Sequence, residues 1–293
     1  MSEPTIEIRQ IYYNEASRAA LDPLAIPLDN REGPPDWYEF WPILTYLRQN
    51  TLQEDTFYAF LSPSFSEKTG FTLAEVREIA ERERERDVIV FSSFWIALFL
   101  TKNPWLHAER IHPGVLPRAQ DFFDAIGEKV DLAGLTTDST TSGFSNYFVA
   151  KPAFWRAWAE LAEKYHAYVE TQGPTGPHQE TTDYRGEQSV AFKVFIQERL
   201  ASHVLLSHDF DTIMPDHPFR NAPADPVRLR RFLKRIDALK RRYRATGNPI
   251  HLVHIRMLET ACSRVAKGGS FAAWAWAGLR PKIARAVAPL RGR

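Results

Sequence analysis

Apolar and polar positions alternate through TIEIRQIYY at 5–13, the two-residue period of a half-buried strand. FYAFL at 57–61, ended by Ser62-Pro63, predicts a second strand, and VIVF at 88–91, opened by Asp87 and stopped by Ser92-Ser93, predicts a third. Between them the period lengthens. Thr72 and Glu75 stand at capping-box spacing and announce a helix to about residue 86. Strand, helix, strand is a βαβ unit, for which parallel pairing is the default.

The remaining pattern is more helical. WYEFWPILTYL at 37–47 reads as a short aromatic helix in which Pro42 marks a break or a start. A helix is expected near 118–126, a strand at 145–150, and a long helix over 153–170 behind Pro152. Residues 171–184, rich in Gly, Pro, Thr and Gln, form a loop that is either a lid or a linker. A single helix is expected over 190–206. After Pro226 come a basic helix to about residue 244, a Gly-Asn-Pro turn, and a second helix over 250–267. The fold class that follows is α/β with a mostly parallel central sheet and a basic helical C-terminal extension.

Composition narrows the class. With 44% hydrophobic and 25% charged residues the chain is of the packed, water-soluble kind. One cysteine, Cys262, excludes an internal disulfide and any multi-cysteine metal site, and makes a reducing cytoplasm the expected compartment. The start MSEP lacks the pattern of a secretory signal, and the longest nearly apolar stretch, 88–100, is too short to span a bilayer. The net charge of +1 conceals a division: 1–222 carry 20 Lys/Arg against 33 Asp/Glu, and 223–293 carry 17 against 3. A body (1–222) and a basic extension (223–293) are therefore expected, the latter facing something anionic or the acidic body itself. Nucleic acid is the least favoured partner, since no recognition motif accompanies the charge and the body would repel phosphates.

Common catalytic signatures are absent. There is no GxGxxG, no GxSxG, and no glycine-rich run ahead of Lys68-Thr69-Gly70. Asp209-Phe-Asp211 has the spacing with which a carboxylate pair can hold a divalent cation, but a single DxD is expected by chance among 15 Asp.

A distributed pattern carries more. It runs from LDN at 28–30 through DWYEFWP at 36–42, FLSP at 60–63, EKTG at 67–70 and DVIVFSS at 87–93. It ends with SNYFVA at 145–150, followed by Phe154-Trp155, and FIQERL at 195–200. This order resembles bacterial glycosyltransferase-like proteins of capsule and lipopolysaccharide clusters, over roughly residues 5–210. The resemblance implies a GT-A-type fold that moves a sugar from a nucleotide-sugar donor to a glycan or lipid-linked acceptor. It places the nucleotide over the C-terminal ends of the first parallel strands, where open sheets bind ligands generally. One departure stands out: Ser92-Ser93 occupy the place where the family carries its metal-binding DxD. The enzyme is then metal-independent, or Asp209 and Asp211 hold Mn2+ or Mg2+ instead, or the chain is a catalytically silent sugar- or nucleotide-binding protein.

The residues can be given roles on this reading. Glu198 is the candidate base toward the acceptor hydroxyl. Lys68, Arg199 or His112 would neutralise the departing diphosphate. Tyr12, Asn14, Asp29, Asn30, Ser62, Ser92 and Asn146 would line the nucleotide and sugar site. The basic extension, with Phe271, Trp274, Trp276 and Leu279 beside Arg280, Lys282 and Arg285, is expected either to lie on the anionic inner face of the cytoplasmic membrane or to pack on the body.

Overall fold

The computed structural model describes residues 5–184, 188–218 and 226–267. Its centre is a six-stranded sheet in the order β2-β1-β3-β5-β4-β8. The strands are β1 (Thr5–Tyr12), β2 (Ile26–Asp29), β3 (Thr56–Leu61), β4 (Val88–Val90), β5 (Phe148–Ala150) and β8 (Thr212–Ile213). Two further strands, β6 (Thr181–Tyr184) and β7 (Gln188–Ala191), form a separate antiparallel hairpin.

The helices in chain order are α1 (Glu15–Ala19), α2 (Phe40–Gln49), α3 (Phe65–Thr69), α4 (Leu73–Arg82), α5 (Trp95–Leu100) and α6 (Pro104–Ile111). They continue with α7 (Val115–Ala125), α8 (Pro152–Thr171), α9 (Phe192–Gln197), α10 (Leu200–Ser207), α11 (Pro226–Thr246) and α12 (Ile250–Lys267).

The α/β class holds, but the sheet is mixed. β1 pairs in parallel with β2 and β3, and β4 with β8, whereas β5 runs antiparallel to both β3 and β4. The expected βαβ unit exists in direction only, because β5 is inserted between its two strands. After β4 the chain passes through α5, α6 and α7, and re-enters the sheet from the edge at which β4 ended. It must therefore run back the other way. The first residues of β5 thus lie beside the last residues of β3 and β4.

Side-chain alternation in β3 builds the two faces of the core. Tyr58 and Phe60 join α2, α7, α8 and α10 on one face, and Phe57, Ala59 and Leu61 join α4 on the other. Every position of β3 is buried, which is why it reads as a continuous apolar run. The Trp155 indole donates to the Tyr58 carbonyl at 3.0 Å and ties α8 to this strand. Thr72 and Glu75 cap α4 reciprocally, as their spacing predicts.

Two segments depart from expectation. Residues 181–184 are a strand rather than part of a loop. The helix expected over 190–206 begins as β7 and is then broken between α9 and α10. The cause of the break is local: the Arg199 guanidinium turns inward and donates to the Phe195 carbonyl, the one its own amide would use in a continuous helix, while that amide goes to Ile196 instead. In α2, Pro42 stands in the first turn, where a missing amide costs nothing.

A third core cluster joins Trp95, Leu98, Phe99 and Phe144 to Leu229, Leu233, Ile236 and Ile255. It seats α11 and α12 on α5. Among the described residues no helix is long and apolar enough to cross a membrane. The proposed interfacial residues 271–285 lie outside the described residues.

Candidate functional site

Because β1, β2, β3 and β4 are parallel in direction, their C-terminal ends share one edge of the sheet, and β5 begins there. The edge therefore collects Tyr12, Asp29 and Asn30, Ser62, Ser92, and Asn146 with Tyr147. Backbone bonds fix the assembly: Asn30 N–H to Tyr12 O and Phe91 N–H to Tyr147 O, both 2.9 Å.

In the middle of this edge the Tyr147 and Ser62 hydroxyls are 2.6 Å apart, and Ser64 Oγ lies 3.3 Å from Ser62 Oγ. Lys68 Nζ, on α3, stands 6.0 Å from the centre of the Tyr147 ring. Glu39 and Glu198 both act electrostatically on Lys68, and Glu39 acts on Glu198. Burial pushes the Glu198 carboxyl up to about 7; Arg199 opposes this, Glu39 adds to it and Lys68 draws it back. Burial works against the Lys68 ammonium, but Tyr147, Glu39 and Glu198 together outweigh it and hold its pKa above the ordinary value. The Tyr13 phenol, raised chiefly by burial and secondarily by Glu39, is kept protonated, and its hydroxyl is buried without a partner.

Glu39 follows a strained turn. A 3-10 turn, Pro35–Trp37, leads to Tyr38, whose φ of 44° is the sole positive value at a non-glycine among the described residues. Such a backbone persists only where its surroundings hold it. Here Gln197 donates to Trp37 O at 3.1 Å, buried Lys193 pairs with Asp36 and lies 4.5 Å over the Trp37 ring, and Asn30 Nδ2 reaches Tyr38 O at 3.4 Å. The loop closes tightly on Asn30: a Cβ at Gly33 would come within 2.0 Å of Asn30 Oδ1. The clamps at Asp36 and Trp37 come from α9, the helix that ends at Glu198. One element thereby positions both carboxylates.

The other sequence candidates take varied places. Tyr12 hydrogen-bonds to Asp29, and Arg31 grips the Asp29 carboxylate with Nε and Nη2, holding it well below its usual range, while its Nη1 reaches Glu15 at 2.6 Å. Asn14 is consumed as the N-cap of α1, accepting from Ser17 N at 2.8 Å. Ser92 Oγ accepts from Phe94 N, closing the turn after β4. Asn146 is buried with its side-chain oxygen unpartnered.

Three assignments are displaced. His112 is enclosed in the core, stacked on Phe195 at 3.9 Å, rather than placed on the strand edge. Arg199 is 3% exposed, and its nitrogens are engaged by the carbonyls of Pro104 and Phe195. It balances Glu198 from behind instead of presenting a cation to a ligand. Asp211 precedes β8, so it lies at the N-terminal ends of β4 and β8, the far edge of the sheet. There its carboxylate pairs with Arg86 at 2.7 Å and its amide donates to Asp87. The Asp209–Asp211 pair cannot serve a cation at the strand-end crevice, and the described residues hold no group of three or more metal-ligating side chains.

Glu39 and Tyr147 are residues of this group to which the sequence alone assigns no role. Tyr147 was within reach of sequence reasoning as part of SNYFVA, and Glu39 as the lone carboxylate in the aromatic run 37–42, but neither spacing says that the two meet. Searches against protein-family models, curated proteins and solved structures find no match to this chain. The chemistry of this group of residues therefore stands on its own: a carboxylate raised to about 7, a second carboxylate, an ammonium, and hydroxyl donors.

Proposed function

We propose that the crevice transfers a sugar from a nucleotide-sugar donor to a hydroxyl acceptor, as the sequence resemblance implies, and that the fold is of the GT-A type. The observation that carries this reading is the Glu198 carboxyl, raised to about 7 and electrostatically coupled to Lys68, which stands beside Tyr147 at the ends of the parallel strands. A general base works best when its pKa is near the working pH. On this reading the acceptor oxygen attacks the anomeric carbon, its proton passes to Glu198, and the bond to the diphosphate oxygen breaks. Lys68 meets the charge that develops on the leaving group. The Ser62, Ser64 and Tyr147 hydroxyls orient the phosphates or the sugar. Binding of Mn2+ or Mg2+ through Asp209 and Asp211 is not part of the proposal, because those carboxylates lie at the opposite edge.

The decisive experiment titrates the protein with a panel of nucleotide sugars and follows transfer to a glycan or lipid-linked acceptor. Glu198→Gln should keep donor binding and lose transfer by about 10²–10⁴-fold. Transfer within about tenfold of the parent would exclude Glu198. Donor binding without transfer by the parent itself would favour the silent binding protein.

A further inference from the structure

Away from the strand edge, the C-terminal end of α5, helix α6 and the α11–α12 pair border a half-open cavity of about 380 Å3. That is ample for a small organic ligand, whose sites span about 300–1,000 Å3. Its charged lining consists of Lys102, Arg110, Lys240 and Arg256, and among the described residues no carboxylate lines it. Cations gathered around one void repel each other and favour an anion within it. A second observation is independent of charge. Thr136 lines the cavity and is 7% exposed, yet its buried hydroxyl has no partner. A buried hydroxyl left unbonded is costly unless a ligand satisfies it.

The remaining wall is aliphatic: Leu100, Leu106, Leu252 and Ile255. Lys240, 1% exposed, is held in place by the carbonyls of Leu98 and Thr101 at the end of α5, so the positive charge is fixed rather than swinging in solvent. The cavity thus offers a cationic side with one free hydroxyl, and an apolar side.

We propose that this cavity binds an organic phosphate. The phosphoryl group lies against Lys102, Arg110 and Arg256 and receives the Thr136 hydroxyl, while the carbon portion covers the leucines. A phosphate matches several cations better than a carboxylate does, because its oxygens diverge and arginine forks meet them in pairs. A soluble phosphate ester and the head of a phospholipid share this chemistry. None of the lining residues belongs to the strand-end crevice, so the site stands whether or not sugar transfer does.

The test is calorimetric titration and thermal melting of the full chain with glycerol 3-phosphate, with dioctanoyl phosphatidic acid below its micellar concentration, and with dioctanoylglycerol as the uncharged control. A phosphate ligand should raise the melting midpoint in a concentration-dependent way. Binding of both phosphates indicates a soluble ester, and binding of the phosphatidic acid alone indicates a lipid source. Arg110→Gln with Arg256→Gln should weaken binding by about tenfold or more. Thr136→Val should weaken it less, and Glu198→Gln should leave it unchanged. Should the double variant fail to fold, Arg110→Gln alone carries the test, since Arg110 is exposed on α6. The proposal is overturned if neither phosphate binds at millimolar concentration, if dioctanoylglycerol binds equally well, or if the arginine variants bind as the parent does.

Discussion

Two carboxylates show how position decides what a residue does. Asp29, gripped by Arg31 at the open edge of the sheet, is held below its ordinary range, whereas Glu198, half-buried at the end of α9, is pushed up to about 7. The second case has a measurable consequence. Between its ordinary value and about 7 the folded protein keeps a proton that the unfolded chain has lost, so Glu198 erodes stability as pH rises through that window. Glu198→Gln cannot titrate. It should melt above the parent at about pH 8 and no higher than the parent near pH 4.5. Glu39→Gln should narrow the gap at the higher pH, because Glu39 is one of the groups that raise Glu198. Fluorimetric melting of the two single variants and the double variant tests this, and equal midpoints for Glu198→Gln and parent at the higher pH would mean that Glu198 titrates normally.

At the scale of elements, the clamp between α9 and the turn at 35–39 is what brings Glu39 and Glu198 together. Lys193 is 1% exposed and Asp36 is its carboxylate partner. Removing one partner of such a pair leaves a buried charge unmatched, whereas replacing both is far milder. Asp36→Asn should therefore destabilise by about 1–3 kcal/mol, a range reduced for the solvent access of Asp36. Asp36→Asn with Lys193→Met should recover most of that loss. Urea denaturation of the three proteins measures it, and a double variant no better than Asp36→Asn would show that the pair does not couple the two elements.

At the scale of the molecule, the division of charge is partly resolved within the fold. Arg244 pairs at 2.5 Å with Asp138, which is fully buried, and Lys234 reaches Asp216 at 2.8 Å. Asp237 of α11 accepts from the amide and hydroxyl of Ser139. Beneath these bonds Leu233 and Ile236 are fully buried against the α5 cluster. The basic helices α11 and α12 therefore pack on α5 and carry part of their charge into pairs with the acidic residues 1–222. Leu233→Ala should cost about 2–5 kcal/mol and move the entire urea transition, followed by tryptophan fluorescence and by far-ultraviolet dichroism together. Two separated transitions would instead mark α11–α12 as an independent unit.

Elements whose signals are local are legible in the amino-acid sequence. The period of residues 5–13, the apolar runs at 57–61 and 88–91, and the Thr72–Glu75 box depend on neighbours a few positions away, and those elements form where their patterns place them. The sequence also singles out Glu198 and Lys68, and the serines that end β3 and β4. The direction of β5 is not legible in this way, because whether a strand joins its neighbours in parallel is set by the edge from which the chain returns. That choice carries Tyr147 to Ser62. The break after α9 likewise depends on Pro104, 95 residues away from Arg199, whose carbonyl helps turn that side chain inward. The meeting of Glu39 with Glu198 rests on Lys193 and Gln197 gripping a turn some 160 positions earlier. The far edge assigned to Asp209 and Asp211 follows from the register of β8 on β4. Periodicity records which face a residue presents, and the physical reason it stops there is that long-range contacts leave no regular spacing in the chain.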